Sequence, residues 1–112
     1  MTQIEYPDFE KVVMAVGTVL SAETNPKARK PAYVLSIDFG AQYGIRTSSA
    51  QLTQNYTADA LVGMQVVAVM NFPVRRIAGV ESQVLVLGAM HDTQGVVLLT
   101  PTLRVEDGTR IG

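Results

Sequence analysis

The sequence predicts an all-β domain closed into a small barrel. Three observations point there. The apolar runs are short and rich in β-branched residues, as at Val66–Met70 and Val84–Leu87, which makes them poor helices. Glycine stands inside or at the ends of these runs, where a barrel bends. Helical patterning is confined to two short stretches, and 112 residues suit one domain, 1–112, with one core.

Tyr6-Pro7-Asp8-Phe9-Glu10-Lys11 reads as a short N-terminal helix, with proline and acids near its first turn. Val12–Ala22 is the first strand, and Gly17 within it marks a bulge or a barrel corner. Glu23–Pro31 is a polar loop bounded by prolines. Ala32–Phe39 is the second strand, in which Tyr33, Leu35 and Ile37 alternate with Val34, Ser36 and Asp38. Gly40–Gly44 is a turn and Ile45–Ser49 the third strand. Thr57–Gly63 is one or two helical turns, with Thr57 as N-cap and Gly63 as stop. Val66–Met70 and Val84–Leu87 are the fourth and fifth strands, apolar enough to be covered on both faces. Gly88–Gly95 is a loop, Val96–Leu99 a sixth short strand, and the tail turns at Asp107-Gly108. A small helix between the third and fourth strands of a five-stranded barrel is the arrangement of an OB-fold. The expected architecture is thus an OB-fold β-barrel with short helices and N- and C-terminal extensions.

Between the fourth and fifth strands lies a long turn that holds the polar chemistry. Pro73 stops regular pairing there and Gly79 permits a bend. Asn71, Phe72, Arg75, Arg76, Ile77, Glu81, Ser82 and Gln83 fall within it. Paired guanidinium groups suit phosphate or carboxylate, and amides and hydroxyls both donate and accept. With Ser48 and Ser49 from the third strand, the expected recognition face comprises Ser48, Ser49, Asn71, Phe72, Arg75, Arg76, Ile77 and Ser82.

Composition narrows the function classes. The absence of cysteine removes disulfides, zinc–thiolate sites, iron–sulfur clusters and cysteine nucleophiles, and fits a reducing compartment. A single histidine, His91, cannot build a multi-histidine metal site. No G-x-S-x-G elbow, phosphate loop or dinucleotide fingerprint occurs, so neither an enzyme nor a cofactor is expected. No run is long enough to span a membrane, and the N-terminus lacks the basic-then-apolar pattern of a signal peptide. The cytoplasm is therefore the expected location, and Asn55-Tyr56-Thr57 is an accidental match to a glycosylation acceptor. The net charge of −1 hides an asymmetry. Residues 24–80 hold six basic residues (Lys27, Arg29, Lys30, Arg46, Arg75, Arg76) against Asp38 and Asp59, a local excess of +4. Such a patch suits contacts to a few phosphates.

Several segments carry a resemblance. From about Phe9 onward the chain is similar to the OB-fold tRNA-binding domain found appended to methionyl- and phenylalanyl-tRNA synthetases. The matching pieces are Val16-Gly17-Thr18-Val19, Asn25-Pro26-x-Ala28, Tyr56-Thr57 through Leu61-Val62-Gly63, Asn71-Phe72, and Ile77-x-Gly79-Val80-Glu81-Ser82. The runs S-S-A-Q-L, N-F-P-x-R-R-I-A and S-Q-V-L-V-L-G resemble most the CsaA-type members, small bacterial homodimers associated with protein export. The wider family usually has aspartate and arginine where this chain has Val13 and Ala15. It often has more basic residues where this chain has Ala78 and Glu81, and Ser-Gly-apolar near Ala50-Gln51-Leu52.

The resemblance implies two ligand classes. Unfolded or pre-secretory polypeptides would use apolar pockets from Phe72, Val74, Ile77 and Met90, with Asn71 and Ser82 pairing a peptide backbone. The alternative partner, tRNA, would stack on Phe72 and Tyr43 or Tyr56 and contact Lys27, Arg29, Lys30, Arg75 and Arg76 through phosphates. A homodimer is expected as well. Ile4, Tyr6 and Phe9 at one end, and Val96, Val97, Leu98, Leu99, Leu103 and Ile111 at the other, exceed what a small barrel interior holds. A two-fold interface lets one patch cover itself.

Overall fold

A computed structural model describes all residues, Met1–Gly112. Its main sheet runs in the order β3-β2-β1-β4-β7 and consists entirely of antiparallel pairs. β1 is Met14–Thr24, β2 Tyr33–Asp38, β3 Ile45–Ala50, β4 Gln65–Val69 and β7 Leu85–Val86. The two edges, β3 and the segment leading into β7, are drawn together by side chains as much as by backbone. The Gln83 N–H donates to the Thr47 carbonyl at 2.8 Å, and the Thr47 N–H returns a bond to Gln83 Oε1 at 2.8 Å. The Ser49 N–H donates to Ser82 Oγ at 3.0 Å, and the buried Ser48 hydroxyl donates to the Val84 carbonyl at 3.1 Å. The result is a nearly closed five-stranded antiparallel barrel of the OB type.

β4 is buried along its whole length, as its unbroken apolar run predicts. β2 alternates as read, with Tyr33, Leu35 and Ile37 inside. Val84–Leu87 does not match: only two of its residues pair as β7, and Leu85 is 46% exposed. The first strand also differs. The register shift lies between Val19 and Ser21, not at Gly17. Gly17 serves the Phe39 ring instead, because a Cβ there would stand 2.6 Å from a ring carbon.

β1 is long enough to need two partners along one edge. β2 pairs with it from Thr18 onward, and β10 (Arg110–Ile111) covers Met14 and Ala15. The tail is fixed by Thr18 and Gln65, whose side chains both donate to Asp107 Oδ1, at 2.6 and 3.2 Å. Asp107-Gly108 turns as expected, with Gly108 at φ 92°.

The short helices are α1 (Tyr6–Glu10), α2 (Gly40–Tyr43) and α3 (Ala58–Leu61). Thr57 caps α3 by accepting the Ala60 N–H at 3.2 Å, and Gly63 at φ 90° ends it. α2 replaces the predicted turn at 40–44. Two further hairpins lie off the barrel. β5 (Arg75–Ile77) pairs with β6 (Val80–Ser82), and β8 (Gly88–His91) with β9 (Gly95–Leu98). β9 falls where the sixth strand was expected, but β8 lies in the segment expected to be a loop, since Gly-Ala-Met-His has little strand propensity. Tertiary hydrogen bonds hold this hairpin: Gln54 Nε2 donates to the Thr93 carbonyl at 2.8 Å, and Asn55 Nδ2 to the Gln94 and Val96 carbonyls at 2.7 and 2.9 Å. Asn55 and Thr57, the ends of the glycosylation-like triplet, thus both have structural tasks.

Candidate functional site

The β5–β6 hairpin builds the site. Ile77 pairs with Val80 across the two-residue turn Ala78-Gly79. Both turn residues take positive φ, 47° and 83°, the pattern of a type I′ turn. Side chains alternate along a strand, so Arg75 and Ile77 share a face and Arg76 takes the other. Arg76 stands 3.7 Å from Glu81, its cross-strand partner, in a mostly exposed ion pair.

The Arg75–Ile77 face closes a cleft of about 510 Å³. Phe72, Pro73, Ile77, Val84 and Leu85 give it apolar walls, and Ser49, Arg75, Ser82 and Gln83 contribute polar groups. Phe72 is half exposed at the cleft, at 51%. A second cleft of about 500 Å³ lies alongside. Lys27, Ala28, Arg29 and Lys30 line it together with Ala32, Gln51 and Ala78. Both clefts share Ser49 and Ile77, so they meet along one wall.

Asn25 assembles that junction. Its Oδ1 accepts the Lys27 N–H at 3.1 Å and its carbonyl accepts the Ala28 N–H at 3.2 Å, which curls the basic loop into a turn. Its Nδ2 reaches the Ala78 carbonyl at the hairpin tip, at 3.4 Å. The Lys27 stem passes close to Gly79, where a Cβ would lie 3.6 Å from its Cδ. The ion pairs of the structure are Lys11 with Asp8 and Arg76 with Glu81. Lys27, Arg29, Lys30 and Arg75 therefore face the clefts without an acidic partner.

Five of the eight expected recognition residues line the apolar cleft: Ser49, Phe72, Arg75, Ile77 and Ser82. The other three lie elsewhere. Ser48 is fully buried, and its hydroxyl closes the barrel seam. Asn71 commits its amide to the chain itself: Oδ1 accepts the Val13 N–H at 2.9 Å and Nδ2 donates to the Lys11 carbonyl at 2.7 Å. Arg76 points to the opposite hairpin face. Even Ser82 has its hydroxyl engaged by the Ser49 N–H. Tyr56 and Tyr43 are partly buried against the core and line neither cleft, and the Tyr56 hydroxyl accepts the Leu98 N–H at 2.9 Å. Met90 and Val74 are exposed but line neither cleft. The reading of the sequence omitted Pro73, Gln83, Val84 and Leu85 from the site, and gave Asn25 no positioning role.

Comparison with known proteins places the fold. Residues 14–110 match the family described as putative tRNA binding domain. The chain is 44% identical to the chaperone CsaA of Bacillus anthracis, with a TM-score of 0.94 over 99% of this chain and 100% of that one. It is also 44% identical to the CsaA chaperone protein of Picrophilus torridus, with a TM-score of 0.93 over 98% and 100%. The methionine–tRNA ligase of Pyrococcus horikoshii is 32% identical over 111 residues, which are 99% of this chain but 15% of the ligase. The chain belongs to the putative tRNA binding domain family, as an OB-fold barrel of the CsaA type.

Proposed function

We propose that this protein holds unfolded, export-competent polypeptides in the cleft beside the β5–β6 hairpin, acting in the cytoplasm by binding and without catalysis. The observation that carries the reading is the cleft itself. Five apolar residues wall it, it is open to solvent, and Arg75 and the Gln83 side-chain NH2, whose Oε1 is held by Thr47, can donate to a peptide backbone or side chain. Sites for extended peptides combine such apolar pockets with a few polar groups. The chaperone descriptions of the two CsaA neighbours support it. Light scattering tests it: at equimolar ratio the protein is expected to suppress aggregation of a chemically unfolded client on dilution. Unchanged aggregation would contradict the reading.

The second reading, tRNA binding, is favoured by a separate observation: Lys27, Arg29, Lys30 and Arg75 are unpaired at two adjoining clefts, and the half-exposed Phe72 ring lies in the one that Arg75 lines. Salt separates the two, because phosphate contacts weaken steeply between low and moderate salt while apolar capture does not.

The proposed assembly is a homodimer with interface residues from both chain ends, which form extensions to the single barrel domain. Ile4, Tyr6, Met90, Val97, Leu99 and Leu103 leave large apolar groups in solvent. The patch is smaller than the sequence suggests, because Leu98 is buried in the chain's own core and Ile111 pairs with Met14. Sedimentation equilibrium at micromolar concentration is expected to give twice the 12.1 kDa chain mass. A clean monomer would contradict it.

A further inference from the structure

We propose that the two clefts act as one groove selective for extended peptide segments in which an apolar side chain lies next to acidic ones. The inference rests on the peptide-holding reading above and adds the chemistry of the segment. Ser49 and Ile77 belong to both clefts, so the clefts adjoin across one shared wall, and a chain seated in one needs to cross only that wall to enter the other. The two halves differ in character. One is walled by Phe72, Pro73, Val84 and Leu85; the other is edged by Lys27, Arg29 and Lys30.

The cations are the telling feature. The whole chain carries a net charge of −1, yet these three and Arg75 gather at one site and none has an ion-pair partner. Like charges held together repel, and an anionic ligand relieves that repulsion. Asn25 ties the basic loop to the hairpin tip, so both halves are held in place before a ligand arrives. A bare phosphodiester chain would use the basic half but would leave Pro73, Val84 and Leu85 unmatched. An extended polypeptide serves both halves, because neighbouring side chains can enter different clefts. The groove accordingly disfavours segments rich in lysine and arginine, including the basic leader of an export client, and takes acidic stretches of the chain behind it.

The test uses three fluorescent peptides of one length and one apolar centre, flanked by glutamate, lysine or glutamine, with binding read by anisotropy. At low salt the glutamate peptide is expected to bind about tenfold tighter than the lysine peptide, and the gap is expected to close at high salt as charges are screened. The triple change Lys27→Ala, Arg29→Ala and Lys30→Ala, on an exposed loop, is expected to close most of the gap between the glutamate and lysine peptides, with the glutamine peptide as the reference within the same variant. Equal binding of the glutamate and lysine peptides would overturn the selectivity and leave peptide holding intact. Binding of none of the three would overturn both. An oligonucleotide of equal charge that binds more tightly than the glutamate peptide, and loses that binding in the triple variant, would overturn the inference in favour of nucleic acid.

Discussion

Replacing Phe39 with alanine is expected to lower the unfolding free energy by about 3–5 kcal/mol, the usual range for a fully buried phenylalanine. Phe39 is the largest side chain with no solvent exposure. Residue 39 is held at a junction of three segments through its ring and its backbone. The ring fills the space over Gly17 on β1, and the Phe39 N–H donates to the Gly44 carbonyl at 3.0 Å, closing the α2 turn. The tail runs so close that a Cβ on Gly108 would stand 2.6 Å from the Phe39 carbonyl oxygen. Losing the ring therefore opens a cavity over Gly17, while the backbone bonds of residue 39 keep α2 and the tail in place. Urea denaturation of Phe39→Ala should show a large drop in midpoint with little change in slope. Gly17→Ala disturbs the same contact from the other side, and overpacking there is expected to cost about 1–3 kcal/mol. A drop under 1 kcal/mol for Phe39→Ala would show that this junction does not hold the barrel.

Ile77→Asp is expected to weaken client capture by roughly tenfold or more while the barrel stays folded. The Ile77 side chain is half-buried and forms the wall common to both clefts. A carboxylate there removes apolar area, puts a charge where a client's apolar side chain would lie, and offers the neighbouring free cations a partner in place of the client. Loss of one buried isoleucine contact, about 1.5–3 kcal/mol, corresponds to roughly tenfold or more in affinity. β5 pairs with β6 alone and lies outside the main sheet, so stability should change far less than for Phe39→Ala. The aggregation assay reads the first effect and a urea midpoint the second. Full suppression by a folded Ile77→Asp variant would show that capture occurs elsewhere.

How far the sequence revealed this site depended on which physics set each element. β2 and β4 were legible because burial on one or both faces leaves a pattern of two or an unbroken apolar run. The β5–β6 hairpin was not. Its strands have three residues each, R-R-I and V-E-S, too short for a period. Its turn also puts Ala78, a residue that rarely adopts positive φ, where asparagine or glycine would signal the hairpin. The β8–β9 hairpin forms through the distant amides of Gln54 and Asn55, which no local pattern encodes. Phe72, Arg75 and Ile77 were singled out because an apolar or cationic group in a proline-broken turn has few structural uses, and all three line the cleft. Asn71 and Ser48 looked equally suited to a ligand, but their hydrogen bonds go to Val13, Lys11 and Val84. A polar side chain reads the same whether its partner is a ligand or its own backbone. Only the fold, which brings residues 58 and 36 positions apart into hydrogen-bonding distance, separates the two cases.

The most direct test of the central claim is an amide chemical-shift map of the isotope-labelled protein titrated with an unfolded client peptide. Perturbations are expected at Ser49, Phe72, Arg75, Ile77, Gln83 and Leu85, continuing into Lys27–Lys30 when the peptide carries glutamates. Perturbations confined to the Met90–Val97 hairpin, with the cleft residues unmoved, would contradict it.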